Sequence, residues 1–155
     1  MKIIYCHHGQ RLKGNPPTQD DKLTELGIKD CYMVSELFDG KFKEKLKAIY
    51  TSTFYRCTKT AELVNTRLNL PIILDERLNE YRSVENETWT DLQNRVINCI
   101  NDIIDKYEDD DAVICVTSGV NIGAFICKAF NLPASEDTPF LGVSNCSPII
   151  FDYKK

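Results

Sequence analysis

Short apolar runs alternate with amphipathic helical patterns along the whole chain, and this alternation constrains the fold more than any other feature of the sequence. The apolar runs lie at 1–6, 48–50, 72–74, 112–116 and 148–153. Strands that are apolar throughout and are separated by helices are typical of a parallel sheet that helices cover on both faces. The pattern therefore predicts an α/β fold with one domain over residues 1–155, built as a three-layer α/β/α sandwich with a mainly parallel sheet.

Helical patterns separate these runs, and the first three place their apolar residues on one face. The patterns cover about 28–38, 54–68, 88–107 and 119–130. The apolar face of the first consists of Ile28, Cys31, Val34, Leu37 and Phe38. Gly40 ends this helix, and a lysine-rich turn with a short helix is predicted at 41–47.

Composition and charge place the chain among ordinary globular proteins. Hydrophobic residues make up 43% and charged residues 27% of its 155 residues. The net charge of −4 argues against nucleic acid and anionic membranes as main partners, because both select for clustered Lys and Arg. No apolar run approaches membrane-spanning length, and the start of the chain is too polar for a signal peptide. We therefore expect a cytoplasmic protein without a nucleic-acid or membrane partner, whose oligomeric state the sequence leaves open.

Cysteine and histidine usage argues against a metal site. The seven cysteines contain no Cys-x-x-Cys pair, and most lie within apolar patterns, where Cys behaves as a small core residue. The only histidines, His7 and His8, are adjacent. In an extended segment their side chains point to opposite sides, so they do not readily bind one metal ion together. We therefore expect no metal and no other cofactor.

Both histidines lie at the end of the first apolar run, directly before Gly9. Strand ends followed by glycine are where open α/β sheets place their chemistry, because the chain leaves the sheet there and exposes side chains at the crevice. The segment 6–10 therefore predicts that His8 is delivered into a pocket. A histidine pair in an ordinary loop is the alternative that this segment alone leaves open.

Local motifs in order along about residues 1–153 resemble those of the histidine phosphatase superfamily, the phosphoglycerate-mutase-like proteins. The segment 7–9, His-His-Gly, resembles the Arg-His-Gly that ends the family's first strand, and 23–27 matches its Leu-Thr-x-x-Gly. The family's next strand is followed by a Ser, an Arg and a Thr-Ala pair, which are matched here by Ser52, Arg56, Thr60 and Ala61. Its Leu-x-Glu and its late Ser/Thr-His-Gly are matched in position by Leu78-Asn79-Glu80 and Thr117-Ser118-Gly119.

The resemblance implies phosphoryl transfer through a phosphohistidine, with a small phosphorylated molecule or inorganic phosphate as the bound ligand. His8 would attack phosphorus with a neutral ring nitrogen. Glu80 would protonate the leaving oxygen, and Arg56 would bind the phosphate. Water would then release the phosphate.

The chain departs from the family pattern at two positions of the phosphate clamp. His7 stands where the family has its first Arg, and Ser118 where it has its second His. His7 is mostly neutral at pH 7, although a bound phosphate would favour its protonated form. Ser118 can donate a hydrogen bond, and the backbone N–H groups of Ser118 and Gly119, at a helix N-terminus, form an anion cradle. We therefore assign phosphate binding to Arg56, His7, Ser118 and Gly119.

Other loop residues are candidates to replace the missing groups. Arg11, Lys13 and Arg82 lie on loops that can reach the pocket, but an ordinary surface charge is the simpler interpretation of each. The Asn that follows Arg-His-Gly in the family has no clean match, because Asn15 lies one position too far along.

Two functions follow from the resemblance. The first is a phosphomonoesterase with impaired activity, because removing one preorganised transition-state donor costs roughly 3–4 kcal/mol and two donors are missing. Hydrolysis is favoured over mutase activity, since the chain lacks the insertions of the family's larger mutases. The second is a non-catalytic relative that binds a phosphorylated ligand or has a regulatory role. A flavodoxin-like or Rossmann-type nucleotide binder is disfavoured, since the sequence has no Gly-rich phosphate loop.

Overall fold

The computed structural model describes residues 1–12, 14, 18, 20–82, 85–132 and 143–154. The strands and helices, in chain order, are β1 (Lys2–His7), α1 (Glu25–Lys41), β2 (Leu46–Thr51), α2 (Tyr55–Val64), β3 (Ile72–Leu74), α3 (Trp89–Lys106), β4 (Ala112–Thr117), α4 (Gly119–Ala129) and β5 (Pro148–Asp152). Two short 3₁₀ helices, Asn65–Arg67 and Glu76–Leu78, follow α2 and β3.

The strands form one sheet in the order β3-β2-β4-β1-β5. All neighbouring pairs are parallel except β1 and β5, which are antiparallel. Helices α1 and α2 pack together over one face of the sheet, and α3 and α4 pack together over the other. The predicted three-layer α/β/α sandwich with a mainly parallel sheet is therefore confirmed.

Strand β1 contributes to both layers of the core. Ile4 and Cys6 belong to the core shared with α1 and α2, whereas Ile3 and Tyr5 belong to the core shared with α3 and α4. Successive side chains of a strand point to opposite faces of the sheet, and all four of these side chains are buried. A strand that helices cover on both faces therefore has to be apolar at every core position.

Threonine caps begin two of the long helices. The Thr24 side chain accepts a hydrogen bond from the backbone N–H of Gly27 at the start of α1. Thr88 begins α3 in a capping box with Asp91. The helix predicted at 88–107 is confirmed as α3, and the pattern at 54–68 corresponds to α2 and the 3₁₀ turn that follows it.

The region after α1 differs from the prediction. Helix α1 continues through Gly40 to Lys41, residues 42–45 form a turn, and β2 begins at Leu46. The short helix predicted at 41–47, a segment that is described throughout, does not form because too few residues separate α1 from β2.

Leu37 is also placed differently. It is 47% exposed, whereas Val34 and Phe38 are buried as predicted. Successive residues of a helix are about 100° apart, so a buried face centred between Val34 and Phe38 leaves Leu37 at its edge.

All seven cysteines are free and buried, as expected for core residues. Across the described residues, no helix combines the length and the apolar character needed to cross a membrane.

Candidate active site

The carboxyl ends of β1, β2 and β4 meet at one edge of the sheet. The backbone N–H of His8 donates to the Thr117 carbonyl at 3.0 Å, and the N–H of Ser52 donates to the Val116 carbonyl at 3.0 Å. The residues that follow three neighbouring strands, His8, Ser52 and Ser118, therefore share one region, as expected where parallel strands end together.

A pocket of about 410 Å³ opens at this edge. Its lining consists of His7, His8, Gln10, Arg11, Glu80, Gly119, Val120 and Asn145. Of the predicted site residues, only Arg56 and Ser118 do not line it, and both are buried. The structure therefore brings the histidines, Glu80 and the start of α4 together around one space.

His8 is held as a neutral base with one ring nitrogen unprotonated. Its Nδ1 lies 2.8 Å from the carbonyl oxygen of Gly9. Because a carbonyl only accepts, Nδ1 carries the hydrogen and Nε2 keeps its lone pair. Burial lowers the pKa of His8 to about 3, and the neighbouring charges of His7, Arg56 and Arg11 act in the same direction. Near pH 7 the imidazole is therefore neutral, the state that a nucleophile requires.

A close contact between two backbone segments fixes the turn at Gly9. Gly27 lies so near Gln10 that a Cβ atom on Gly27 would be 2.3 Å from the Gln10 carbonyl oxygen. The N–H of Thr24 donates to the same carbonyl at 2.9 Å, and the N–H of Gly9 donates to Thr60 Oγ1 at 2.9 Å. The Leu-Thr-x-x-Gly segment and Thr60 therefore hold the turn that follows the histidine pair.

His7 contacts His8 directly, which the sequence did not predict. The two rings are edge to face with centroids 4.5 Å apart, because β1 ends at His7 and His8 has left the alternation of the strand. The Nδ1 of His7 lies 2.8 Å from the carbonyl oxygen of Val143. Burial lowers the pKa of His7 below its usual value, so this ring is also neutral near pH 7.

Arg56 and Glu80 form an ion pair at the edge of the pocket. Arg56 Nη2 donates to Glu80 Oε2, and Arg56 Nη1 donates to the carbonyl of Thr18 at 3.2 Å. The Arg56 side chain is 4% exposed and that of Glu80 is 35% exposed. The Arg56 Nε is buried and has no hydrogen-bond partner among the described residues. Arg56 thus retains a donor beside a carboxylate that faces the pocket.

Two buried amides hold the segment that carries Glu80. The Oδ1 of Asn79 accepts from the Ser52 hydroxyl at 2.7 Å. The Nδ2 of Asn121 donates to the carbonyls of Leu78 and Asn79, at 2.9 Å each. The position of Glu80 therefore depends on side chains from the starts of two helices.

The Ser118 hydroxyl is occupied within the fold. Ser118 caps α4, and its hydroxyl donates to Asn121 Oδ1 at 3.1 Å while accepting from the Asn121 N–H at 3.4 Å. Gly119 and Val120, the first two residues of α4, line the pocket. The N–H groups at the start of a helix have no partner within the helix, so this end can bind an anion.

The charged loop residues differ in their positions. Arg11 lines the pocket and forms an ion pair with Asp21. Arg82 does not line the pocket and pairs with Glu85. Lys13 and Asn15 lie outside the described residues. In the described part of the chain, no group of His, Cys, Asp and Glu side chains is suited to hold a metal ion.

Three asparagines of the site were not predicted from the sequence. Asn79 and Asn121 hold the Glu80 segment, and the Nδ2 of Asn145 donates to the His8 carbonyl at 2.9 Å. An Asn three residues after a helix-capping Ser is a local signal for Asn121. Its hydrogen bonds to the carbonyls of Leu78 and Asn79 are not predictable from local sequence.

The sequence model of the histidine phosphatase superfamily (branch 1) matches residues 6–86 and 79–155. No curated protein matches the sequence significantly.

Several solved structures have the same fold. YhfR of Bacillus stearothermophilus is 23% identical, with a TM-score of 0.79 over 96% of this chain and 89% of that one. A mycobacterial glucosyl-3-phosphoglycerate phosphatase complexed with VO3 is 18% identical, with a TM-score of 0.78 over 96% and 90%. A mutant phosphoserine phosphatase from Entamoeba histolytica, in complex with phosphoserine, is 17% identical, with a TM-score of 0.77 over 99% and 91%.

Proposed function

The chain belongs to the histidine phosphatase superfamily, and we propose that it is a single-domain phosphomonoesterase that acts on a small phosphorylated metabolite through a phosphohistidine at His8. The observation that carries this proposal is the state of His8, a buried neutral ring at a pocket, whose Nδ1 hydrogen is directed to the Gly9 carbonyl. Structural neighbours described as phosphatases, with phosphoserine or VO3 bound, support the choice of ligand class.

In the first step, His8 Nε2 forms a bond to phosphorus while the bond between phosphorus and the ester oxygen breaks. Glu80, which lines the same pocket, transfers its proton to the departing oxygen. In the second step, a water molecule attacks phosphorus while the Glu80 carboxylate takes a proton from this water. The bond between phosphorus and His8 Nε2 then breaks. Phosphate is released and His8 returns to its neutral form.

Phosphate binding would break the Arg56–Glu80 ion pair and so prepare Glu80 to act as the general acid. A phosphate competes with Glu80 for the Arg56 guanidinium, whose Nε donor is unused among the described residues. Glu80, released from its cation, is then free to act on the departing oxygen. The first N–H groups of α4, at Gly119 and Val120, supply further donors to the phosphate.

We further propose that His7 and Ser118 occupy the positions of the family's first Arg and second His and that activity is impaired as a result. His7 is neutral near pH 7, and the Ser118 hydroxyl is bound to Asn121, so neither replaces a fixed cation in the phosphate-free protein. Loss of one preorganised donor commonly lowers turnover by roughly 100- to 1000-fold. These same contacts favour the alternative function, a non-catalytic relative that binds a phosphorylated ligand.

Assays on a panel of phosphate monoesters test the proposal. We expect slow hydrolysis by the natural protein and a loss of about 1000-fold or more in His8→Ala, because the nucleophile is removed. Mass spectrometry of samples taken during turnover and kept at alkaline pH, without an acid quench, should detect phosphate on His8. Hydrolysis that persists in His8→Ala would contradict the phosphohistidine mechanism.

A restored double variant, His7→Arg with Ser118→His, separates the two functions. If the natural protein is an impaired enzyme, the double variant should hydrolyse the same ester roughly 100-fold faster or more. Hydrolysis by the double variant alone, with phosphate binding by both proteins, would favour the non-catalytic function.

A further inference from the structure

Arg11 is fixed at the pocket rather than extended into solvent. Its side chain is 25% exposed and forms an ion pair with Asp21, whose side chain is 5% exposed. The backbone is fixed as well, because Arg11 forms a β-bridge with Leu23 and the N–H of Leu12 donates to the Lys22 carbonyl at 2.8 Å. The exposed Arg67, by contrast, pairs with a carboxylate that is itself 59% exposed.

Asp21 is itself held in place to receive Arg11. Its Oδ1 accepts from the N–H of Thr18 at 3.1 Å and from the Thr18 hydroxyl at 3.0 Å, which leaves Oδ2 for Arg11. Burial alone would raise the pKa of Asp21, but the hydrogen bonds from Thr18 and the Arg11 charge hold this pKa below its usual value. The carboxylate is therefore ionised at pH 7 and orients the guanidinium.

Thr18 connects Arg11 to Arg56. The N–H and hydroxyl of Thr18 bind Asp21, and its carbonyl accepts from Arg56 Nη1 at 3.2 Å. Thr18 thus links two guanidinium groups, and the positive charges of both lower the pKa of His8. Such an arrangement sets the distance between two cations, which a clamp for a phosphate requires.

Resting on the proposed function, we propose that Arg11 is a phosphate-binding residue that supplies the fixed cation missing at His7, and that Asp21 is its positioning residue. Among the described residues, Asp21 is the only hydrogen-bond partner of the Arg11 guanidinium and takes one of its nitrogens. The remaining N–H groups match two oxygens of a phosphate monoester. Arg stays charged at all physiological pH values, whereas His7 is neutral near pH 7.

Arg82 is the matched comparison within the same chain. It is also a loop arginine in an ion pair, but its partner Glu85 is 55% exposed and Arg82 is not part of the pocket lining. Neutralising Arg82 therefore changes the charge of the protein as much as neutralising Arg11 does, without changing the pocket.

Calorimetric titration of the full chain with inorganic phosphate, and with vanadate, tests the proposal directly. We expect Arg11→Gln to weaken binding by about 10- to 100-fold, the range for a hydrogen bond between charged groups. Arg82→Gln should stay within about twofold of the natural protein, and Arg11→Lys should fall between them because it keeps the charge and loses the fork. Equal binding by Arg11→Gln and Arg82→Gln would overturn the proposal, as would the absence of phosphate binding by the natural protein.

Asp21→Asn tests the positioning role. Asn keeps the size of the side chain but removes the charge that orients Arg11, so phosphate binding should weaken by about tenfold. The melting temperature of Asp21→Asn should stay similar to that of the natural protein. The double variant Asp21→Asn with Arg11→Gln should bind no more weakly than Arg11→Gln alone, because Asp21 acts through Arg11. Fully additive losses would show that Asp21 does not act in this way.

His8→Ala keeps the two proposals distinguishable. It should retain phosphate binding and lose turnover. Turnover that persists in His8→Ala would reject the phosphohistidine mechanism and leave the titration results for Arg11 intact. Turnover that depends on His8, together with unchanged phosphate binding in Arg11→Gln, would reject the role of Arg11 alone.

Discussion

The turn at Gly9 and the segment 78–80 face the same pocket but are held in different ways. The turn is fixed by backbone contact, since Gly27 leaves no room for a Cβ against Gln10. The segment 78–80 is fixed by side chains. Asn121 donates to two of its carbonyls, and Arg95 also donates to two of them. The two ends also differ in their access to water, because His8 is 5% exposed and the Glu80 side chain is 35% exposed.

This difference fits the separate tasks proposed for the two residues. A nucleophile has to present one lone pair in one direction, so a rigid and nearly dry setting favours it. An acid has to leave its ion pair with Arg56, take up a proton and return it, so a segment held by side chains and open to water is suited to it. We therefore expect backbone changes to affect the histidine end and amide changes to affect the acid end.

Gly27→Ala should have the largest effect. The new Cβ would lie 2.3 Å from the Gln10 carbonyl oxygen, and because both sides of this contact are backbone, the turn has to move. Overpacking of this kind costs about 1–3 kcal/mol in the free energy of unfolding. A displaced His8 should lower turnover by roughly 100-fold. Denaturant unfolding and kcat/KM on one phosphate ester measure the two effects.

Gly123→Ala is the control for this substitution. Gly123 lies within α4, and a Cβ there would have no described atom within 4 Å. Replacing a helical Gly by Ala should raise the free energy of unfolding by roughly 0.5–1 kcal/mol and leave turnover unchanged. Similar losses in the two variants would mean that the contact with Gln10 does not hold the turn.

The histidine end was the more predictable of the two from sequence. The end of the first apolar run indicated where β1 ends, and the Leu-Thr-x-x-Gly resemblance marked Gly27. This position requires glycine because the backbone of Gln10 approaches it closely. Glycine and helix-capping threonine can be predicted from local sequence because each is required by the local backbone geometry. The fold was predictable for the same reason, since each strand is a short apolar run and the helices carry their own apolar period.

The acid end was less predictable because its contacts join distant parts of the chain. Asn121 binds carbonyls that lie 43 and 42 residues away in sequence, and no period or spacing encodes such a partner. The ion pair of Arg56 with Glu80 spans 24 residues. These contacts depend on how the strands are ordered in the sheet, which the sequence pattern does not specify.

Substitutions of Asn121 should lower the stability and kcat by an intermediate amount, and Asn121→Asp should be less stable than Asn121→Ala. Asn121→Ala removes one of two donors from each of the Leu78 and Asn79 carbonyls, at a cost of about 0.5–1.5 kcal/mol in the free energy of unfolding for each bond lost. The two carbonyls still accept from the Thr117 hydroxyl and from Arg95. Asn121→Asp should cost more at pH 7, because a carboxylate oxygen would face two carbonyl oxygens in a buried site. Both variants should lower kcat by about tenfold through Glu80 while phosphate binding changes less. If Asn121→Asp were as stable and active as the natural protein, the amide would not be holding this segment.

The smallest expected effect tests the dry setting of His8 through the pH dependence of stability. Burial lowers the pKa of His8 to about 3 in the folded chain, against about 6.5 in an unfolded chain. As pH falls below about 6.5, the unfolded chain binds this proton first, so the stabilising contribution is complete above that pH and is lost progressively down to about pH 3. Between pH 7.5 and pH 5.5, the natural protein should therefore lose about 1 kcal/mol more in the free energy of unfolding than His8→Gln does.

His7 titrates in the same direction but is present in both proteins, so subtracting the two curves isolates His8. Equal losses would show that His8 is not kept as a buried neutral base, and the contrast between the two ends of the pocket would then rest on the backbone contact alone.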